Sequence, residues 1–399
     1  MFRGYRALFA PQGAVAFATS VALARLPMGM FPLSTAVLAT GLHRSYALVG
    51  LGGAMAWITI AAGGPRQARL VDRYGQAKVA VPAALLAAVG AAGLLTVLYT
   101  DGPSWLYLVA CAGSALGPNT GSLARARWAY LHKGDEAALH TAYAYEGVVD
   151  ELGFVLGPVI AMGLIAASSA TVAFVTAALL QLGGILLLAT RRDTEPPAAG
   201  PTVARTADDS LRIRALGPLI LMLCATGVVF GTTEITTMGF AASHGDKGSA
   251  GAVVSCYALG SLLSGLAFGL WRPRGSAVVR VRWALAAMAL TLAPLMVAHT
   301  LPTVAAVLFV AGFATAPVIS TSIGLVGQLV PESRMTEGFT WTTTGLVLGI
   351  SMGSACGGWM VDHFAAGTGY QLPSLAALLA LVLSVAVRPA AYQKAVTVP

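Results

Sequence analysis

The sequence predicts an all-α polytopic membrane protein, with twelve transmembrane helices arranged as two six-helix, pseudo-symmetric bundles. Three observations predict it. Of 399 residues, 57% are hydrophobic and only 10% are charged, against about 25% charged in soluble domains. Six windows of the length needed to cross a bilayer, about 20 residues, contain no Asp, Glu, Lys or Arg: 45–65, 79–100, 102–124, 248–271, 338–361 and 363–387. The basic residues fall on alternate loops, the pattern that membrane insertion selects.

Taken in order, the first element is the apolar run 13–42, which carries Arg25. It is too long for the 7–15-residue core of a signal peptide, so it reads as the first membrane helix. Two longer uncharged runs are each a helical hairpin. Residues 152–190 break at Ser168-Ser169, and 283–331 break at His299-Thr300-Leu301-Pro302. The run 216–243 carries Glu234. The twelve helices are expected to start near residues 13, 45, 79, 103, 140, 170, 216, 248, 280, 303, 335 and 371. Between the sixth and seventh lies a polar stretch with Pro196-Pro197, Pro201, Asp208-Asp209, Arg205, Arg212 and Arg214. It reads as a solvated linker. The expected domains are therefore 1–190, a cytoplasmic linker at 191–215, and 216–399.

With loops alternating, 21 of the 24 Lys and Arg residues share one side, including Arg66, Arg69, Arg73, Lys78, Arg125, Arg127, Arg272, Arg274, Arg388 and Lys394. Only Arg44 and Lys247 fall on the other, and Arg25 stays in the membrane. The rich side is cytoplasmic. Both termini and the linker are expected there, in the inner membrane of a bacterium. The net charge of +8 then reflects orientation, not a nucleic-acid partner. Cys111, Cys224, Cys256 and Cys356 lie in apolar stretches without metal-ligand spacing, and read as small hydrophobes. No cofactor or metal is expected.

The halves echo each other. Glu146-Gly147 is followed by Gly153 and Gly157, and Glu337-Gly338 by Gly345 and Gly349. Gly117-Pro118 precedes the first set as Ala316-Pro317 precedes the second. Duplicated six-helix units with substrate bound between them near the midplane are a transporter architecture.

Between the second and third helices stands Ala68-Arg69-Leu70-Val71-Asp72-Arg73-Tyr74-Gly75-Gln76-Ala77-Lys78. It resembles the cytoplasmic loop signature of the major facilitator superfamily, GxxxD(R/K)xG(R/K)(R/K). Asp72, Arg73 and Gly75 match in identity and spacing. Ala68 replaces the first Gly, and Gln76 and Ala77 replace the final basic pair. A carboxylate at the membrane edge caps backbone donors or pairs with arginine, which makes this loop either a gate latch or a plain anchor of positive charge. The fifth helix resembles the superfamily's antiporter signature in Gly153, Gly157 and Pro158. The glycines also permit close helix packing, and Pro158 removes a backbone bond. The resemblance implies a twelve-helix exporter. The fourth-helix arginine signature is not matched, because residues 111–121 contain no Arg.

Charges inside a bilayer default to functional roles. Arg25 sits about eleven residues into its helix, near mid-depth at ~1.5 Å per residue. Glu146 and Asp150 share a face with Gly153 and Gly157, with Glu151 turned aside. Arg25 either pairs with Asp150 or Glu151, or contributes to a substrate cavity with Tyr143, Trp341 and Phe230. Glu234, Asp150, Glu146 and Glu151 are the proton-coupling candidates. Arg125-Ala126-Arg127-Trp128 reads as an inner-face anchor with an interfacial Trp. The expected function is secondary active transport of small organic molecules by alternating access, as proton-coupled export. An importer is the alternative within the class, and a membrane-embedded enzyme or sensor the alternative outside it. No HExxH or P-loop pattern supports an enzyme. The expected partners are a small-molecule substrate, protons and lipid, with the protein a monomer.

Overall fold

The computed structural model describes residues 3–44, 46–200, 216–244, 250–270, 275–364 and 366–387. The linker positions Pro201, Arg205, Asp208, Asp209, Arg212 and Arg214, and also Lys247, Arg272, Arg274, Arg388 and Lys394, lie outside the described residues.

Twelve apolar segments run along the described residues. They are α1 (Ala14–Arg25 and Pro27–Gly41, joined through Leu26), α2 (Tyr46–Tyr74), α3 (Gln76–Tyr99), α4 (Ser104–Ser114 and Thr120–Leu131), α5 (Glu136–Ala167) and α6 (Ala170–Thr190). The second set is α7 (Gly217–Ser243), α8 (Ala250–Leu270), α9 (Ala277–Leu292), α10 (Leu301–Leu329), α11 (Met335–His363) and α12 (Gln371–Ser384). Among the described residues, eleven are long and apolar enough to cross a bilayer, α9 and α12 together with the short helical turns beside them. The exception is α4. Pro118 has no amide to donate, the helix stops at Ser114, and a new one starts under the cap of Asn119, whose side chain accepts from Ser122 N–H at 2.9 Å.

The packing repeats. In the first half α1 packs on α6, α2 on α4, and α3 on both α4 and α6; in the second α7 packs on α12, α8 on α10, and α9 on both α10 and α12. The glycine pairs of the repeat do the same work in each half. A Cβ added at Gly157 of α5 would lie 2.8 Å from Leu26 O of α1, and one at Gly349 of α11 would lie 1.9 Å from Cys224 O of α7. Without a hydrophobic drive between helices in lipid, such close backbone approach supplies the packing. Large apolar side chains such as Val89, Trp283 and Leu290 point outward, which only a hydrocarbon surrounding tolerates over so wide a surface.

The chain forms two compact units. One comprises residues 8–133 and 149–203; the other comprises 1–7, 134–148 and 204–399. Helix α5 thus gives its first turns to the second unit and the remainder to the first. In the second unit Tyr143 is buried against Phe339, ring centroids 5.7 Å apart, and His140 bonds Phe268 O at 2.8 Å.

Candidate functional site

In the first unit the Asp150 carboxylate joins two guanidiniums. Arg25 Nη1 lies 3.3 Å from Oδ1, and Arg125 Nη2 donates to Oδ2 at 2.6 Å. The arginine side chains are 1% and 5% exposed, while Asp150 keeps 27%. The carboxylate is therefore the open part of a buried ionic cluster. Helix geometry produces it. Gly153 and Gly157, one and two turns beyond Asp150, bring α5 against Arg25 O and Leu26 O of α1, so the charges meet where the backbones come closest. Gly121 makes room for both arginines: a Cβ there would lie 3.1 Å from Arg125 Nη1 and 3.2 Å from Arg25 Nη2. A desolvated charge persists only when paired and hydrogen-bonded, and the Asp150 carboxylate is a partner to both guanidiniums.

Two expectations are corrected here. Arg125 is buried and paired with Asp150 beside Arg25, rather than standing as a free anchor. Arg127 and Trp128 are not a solvated anchor either, for both are fully buried. Trp128 packs on Phe9, Phe17 and His132. Arg127 donates to Leu188 O and Arg191 O at the end of α6, where a cation meets the negative end of the helix.

The remaining candidates are spread out. Glu146 is buried on α5 one turn before Asp150, and Glu151 is half-buried. Glu234 is exposed on α7, one turn beyond Phe230, and makes no hydrogen bond or ion pair with a described residue. Phe230 is half-buried against Tyr257, centroids 5.9 Å apart, and Trp341 is half-buried on α11. Tyr143 belongs to the packed core of its unit. Asp72 lies in the last turn of α2 and not at a helix N-terminus; Arg73 is exposed, its guanidinium 5.3 Å from the Tyr74 ring; Gly75 has φ +99°.

A duplicated six-helix membrane bundle is an architecture that transporters use. The Major Facilitator Superfamily model matches residues 15–245 and 221–398. The chain belongs to the Major Facilitator Superfamily. Solved structures agree in fold. A bacterial homologue of the iron transporter ferroportin, in an outward-facing state, superposes with a TM-score of 0.76 at 12% identity, covering 93% of this chain and 98% of that one. The human organic anion transporter MFSD10 gives 0.73 at 18%, covering 94% and 100%. The fucose:proton symporter of E. coli gives 0.67 at 15%, covering 93% and 98%. No curated protein matches the sequence.

Proposed function

We propose that the protein exports small organic molecules in exchange for protons, by alternating access, in a bacterial inner membrane with both termini cytoplasmic. The observation that carries this reading is the unequal surroundings of two membrane carboxylates. Asp150 is held by two guanidiniums, whereas Glu234 is exposed and bonded to no described residue. A proton reaching Asp150 must displace a formed ion pair; one reaching Glu234 displaces nothing. Glu234 is accordingly assigned the coupled proton, and the Arg25–Asp150–Arg125 cluster the role of holding α1, α4 and α5 together. Phe230, next to Glu234 on α7, and Trp341 are assigned to the substrate cavity. Export is favoured by Gly153, Gly157 and Pro158, which match the antiporter pattern and pack closely on α1 at Gly29. The loop of Asp72, Arg73 and Gly75 is assigned to gating.

The test is transport by the purified protein in proteoliposomes under an imposed pH gradient, against a panel of drugs, sugars and amino acids. Accumulation of a panel member against its gradient, driven by protons moving the opposite way, is expected. Proton-independent uptake, or co-directional movement of proton and solute, would overturn the reading.

A further inference from the structure

We infer that residues 192–200, the start of the segment joining the two halves, form a clip that locks the α2–α3 loop in place, with Glu195 as its positioning residue. The link to transport rests on reading that loop as a gate, but the clip itself is argued from contacts within one unit.

The loop leaves two helix ends open. Helix α3 begins at Gln76, and its N-cap, Gly75, offers no side chain. Its first amides lack intrahelical acceptors, and the last carbonyls of α2 lack intrahelical donors. Residues 192–200 supply both needs. Ala77 N–H donates to Glu195 Oε1 at 3.0 Å, placing a carboxylate at the positive end of α3. Ala199 N–H donates to Asp72 O at 2.9 Å, and Gly200 N–H to Arg73 O at 3.1 Å, at the end of α2. The cap that α3 lacks is thus brought from 118 residues away.

Three further features hold the clip in register. Thr194, in the short helical turn Arg192–Thr194, is fully buried, and its hydroxyl bonds Arg127 Nη1 at 2.6 Å. Arg127 Nε donates to Gln76 Oε1 at 2.7 Å, tying the start of α3 to the same guanidinium. Pro196 and Pro197 restrict the backbone just after Glu195. Gly75 accommodates the carboxylate: its φ of +99° suits glycine, and a Cβ there would sit 3.1 Å from Glu195 Oε1. The loop therefore cannot shift without breaking these bonds or drawing the connecting segment with it.

Hydrogen–deuterium exchange on the protein in lipid nanodiscs tests the clip without any transport readout, so failure of the exporter reading leaves it standing and the reverse also holds. In the wild type, amides 76–79 and 199–200 are expected to be protected. In Glu195→Ala, amides 76–79 should exchange about fivefold faster, the effect of one lost helix cap, with 199–200 accelerating in parallel. Glu195→Gln keeps an acceptor oxygen and should stay near wild type. Unprotected wild-type amides at 199–200, or unchanged exchange at 76–79 in Glu195→Ala, would overturn the clip.

Discussion

Replacing Asp150 by Asn removes one carboxylate from two buried guanidiniums. Breaking a buried pair from one side costs about 3–5 kcal/mol, because the remaining charge stays desolvated. Asp150 is 27% exposed, so the lower end applies, about 3 kcal/mol, or roughly a hundredfold in the folded population. The single arginine changes should cost less. In Arg25→Gln the carboxylate keeps Arg125 at 2.6 Å, and in Arg125→Gln it keeps Arg25 at 3.3 Å. The expected order of destabilisation is Asp150→Asn first, Arg125→Gln next because of its shorter bond, and Arg25→Gln last. Thermal unfolding of each variant in detergent, followed by size-exclusion of the surviving monodisperse fraction, ranks them. A double change of Arg125 and Asp150 should cost less than the sum of its parts, the mark of direct coupling. Asp150→Asn as stable as wild type, or strict additivity in the cycle, would refute a structural lock at this cluster.

Gly121→Ala should push both guanidiniums off their present positions, since its Cβ would lie 3.1 and 3.2 Å from them; a loss of about 1–3 kcal/mol in thermal unfolding is the expected pattern. Gly349→Ala should be more damaging than Gly153→Ala, because the new Cβ meets Cys224 O at 1.9 Å in the first and Arg25 O at 3.4 Å in the second. Overpacking costs of about 1–3 kcal/mol or more are expected for Gly349→Ala, and expression with thermal unfolding measures them.

Much of the fold is legible in the sequence because the bilayer imposes length and polarity on every span. No helix start differs by more than four residues from its expected position, the largest shift being α5 at Glu136 rather than 140. The internal repeat is legible for the same reason: Gly157, Gly345 and Gly349 face neighbouring atoms that a larger residue would clash with, while Gly153 sits at ordinary contact distance from Arg25 O. What the sequence hides is pairing at a distance. Arg125 sits just beyond an uncharged window, so it reads as an edge residue. Its partner Asp150 is 25 residues away. Arg127 and Trp128 read as interfacial by type, yet tertiary contacts with α6 and α1 bury them. The polar composition of residues 191–200 signals solvent, but composition is blind to the open helix ends that Glu195, Ala199 and Gly200 meet. Of the four cysteines read as small hydrophobes, Cys111 is buried, Cys224 and Cys256 are half-buried and Cys356 is exposed.

The most direct test of the proposed mechanism is proton movement by Glu234→Gln. Proteoliposomes loaded with a pH-sensitive dye report proton flux when a transported solute is added, while labelled solute reports exchange. Wild type should couple the two. Glu234→Gln should lose solute-driven proton flux and pH-driven accumulation, yet retain solute exchange. Undiminished proton-coupled transport by Glu234→Gln would contradict the assignment of the coupled proton to this residue.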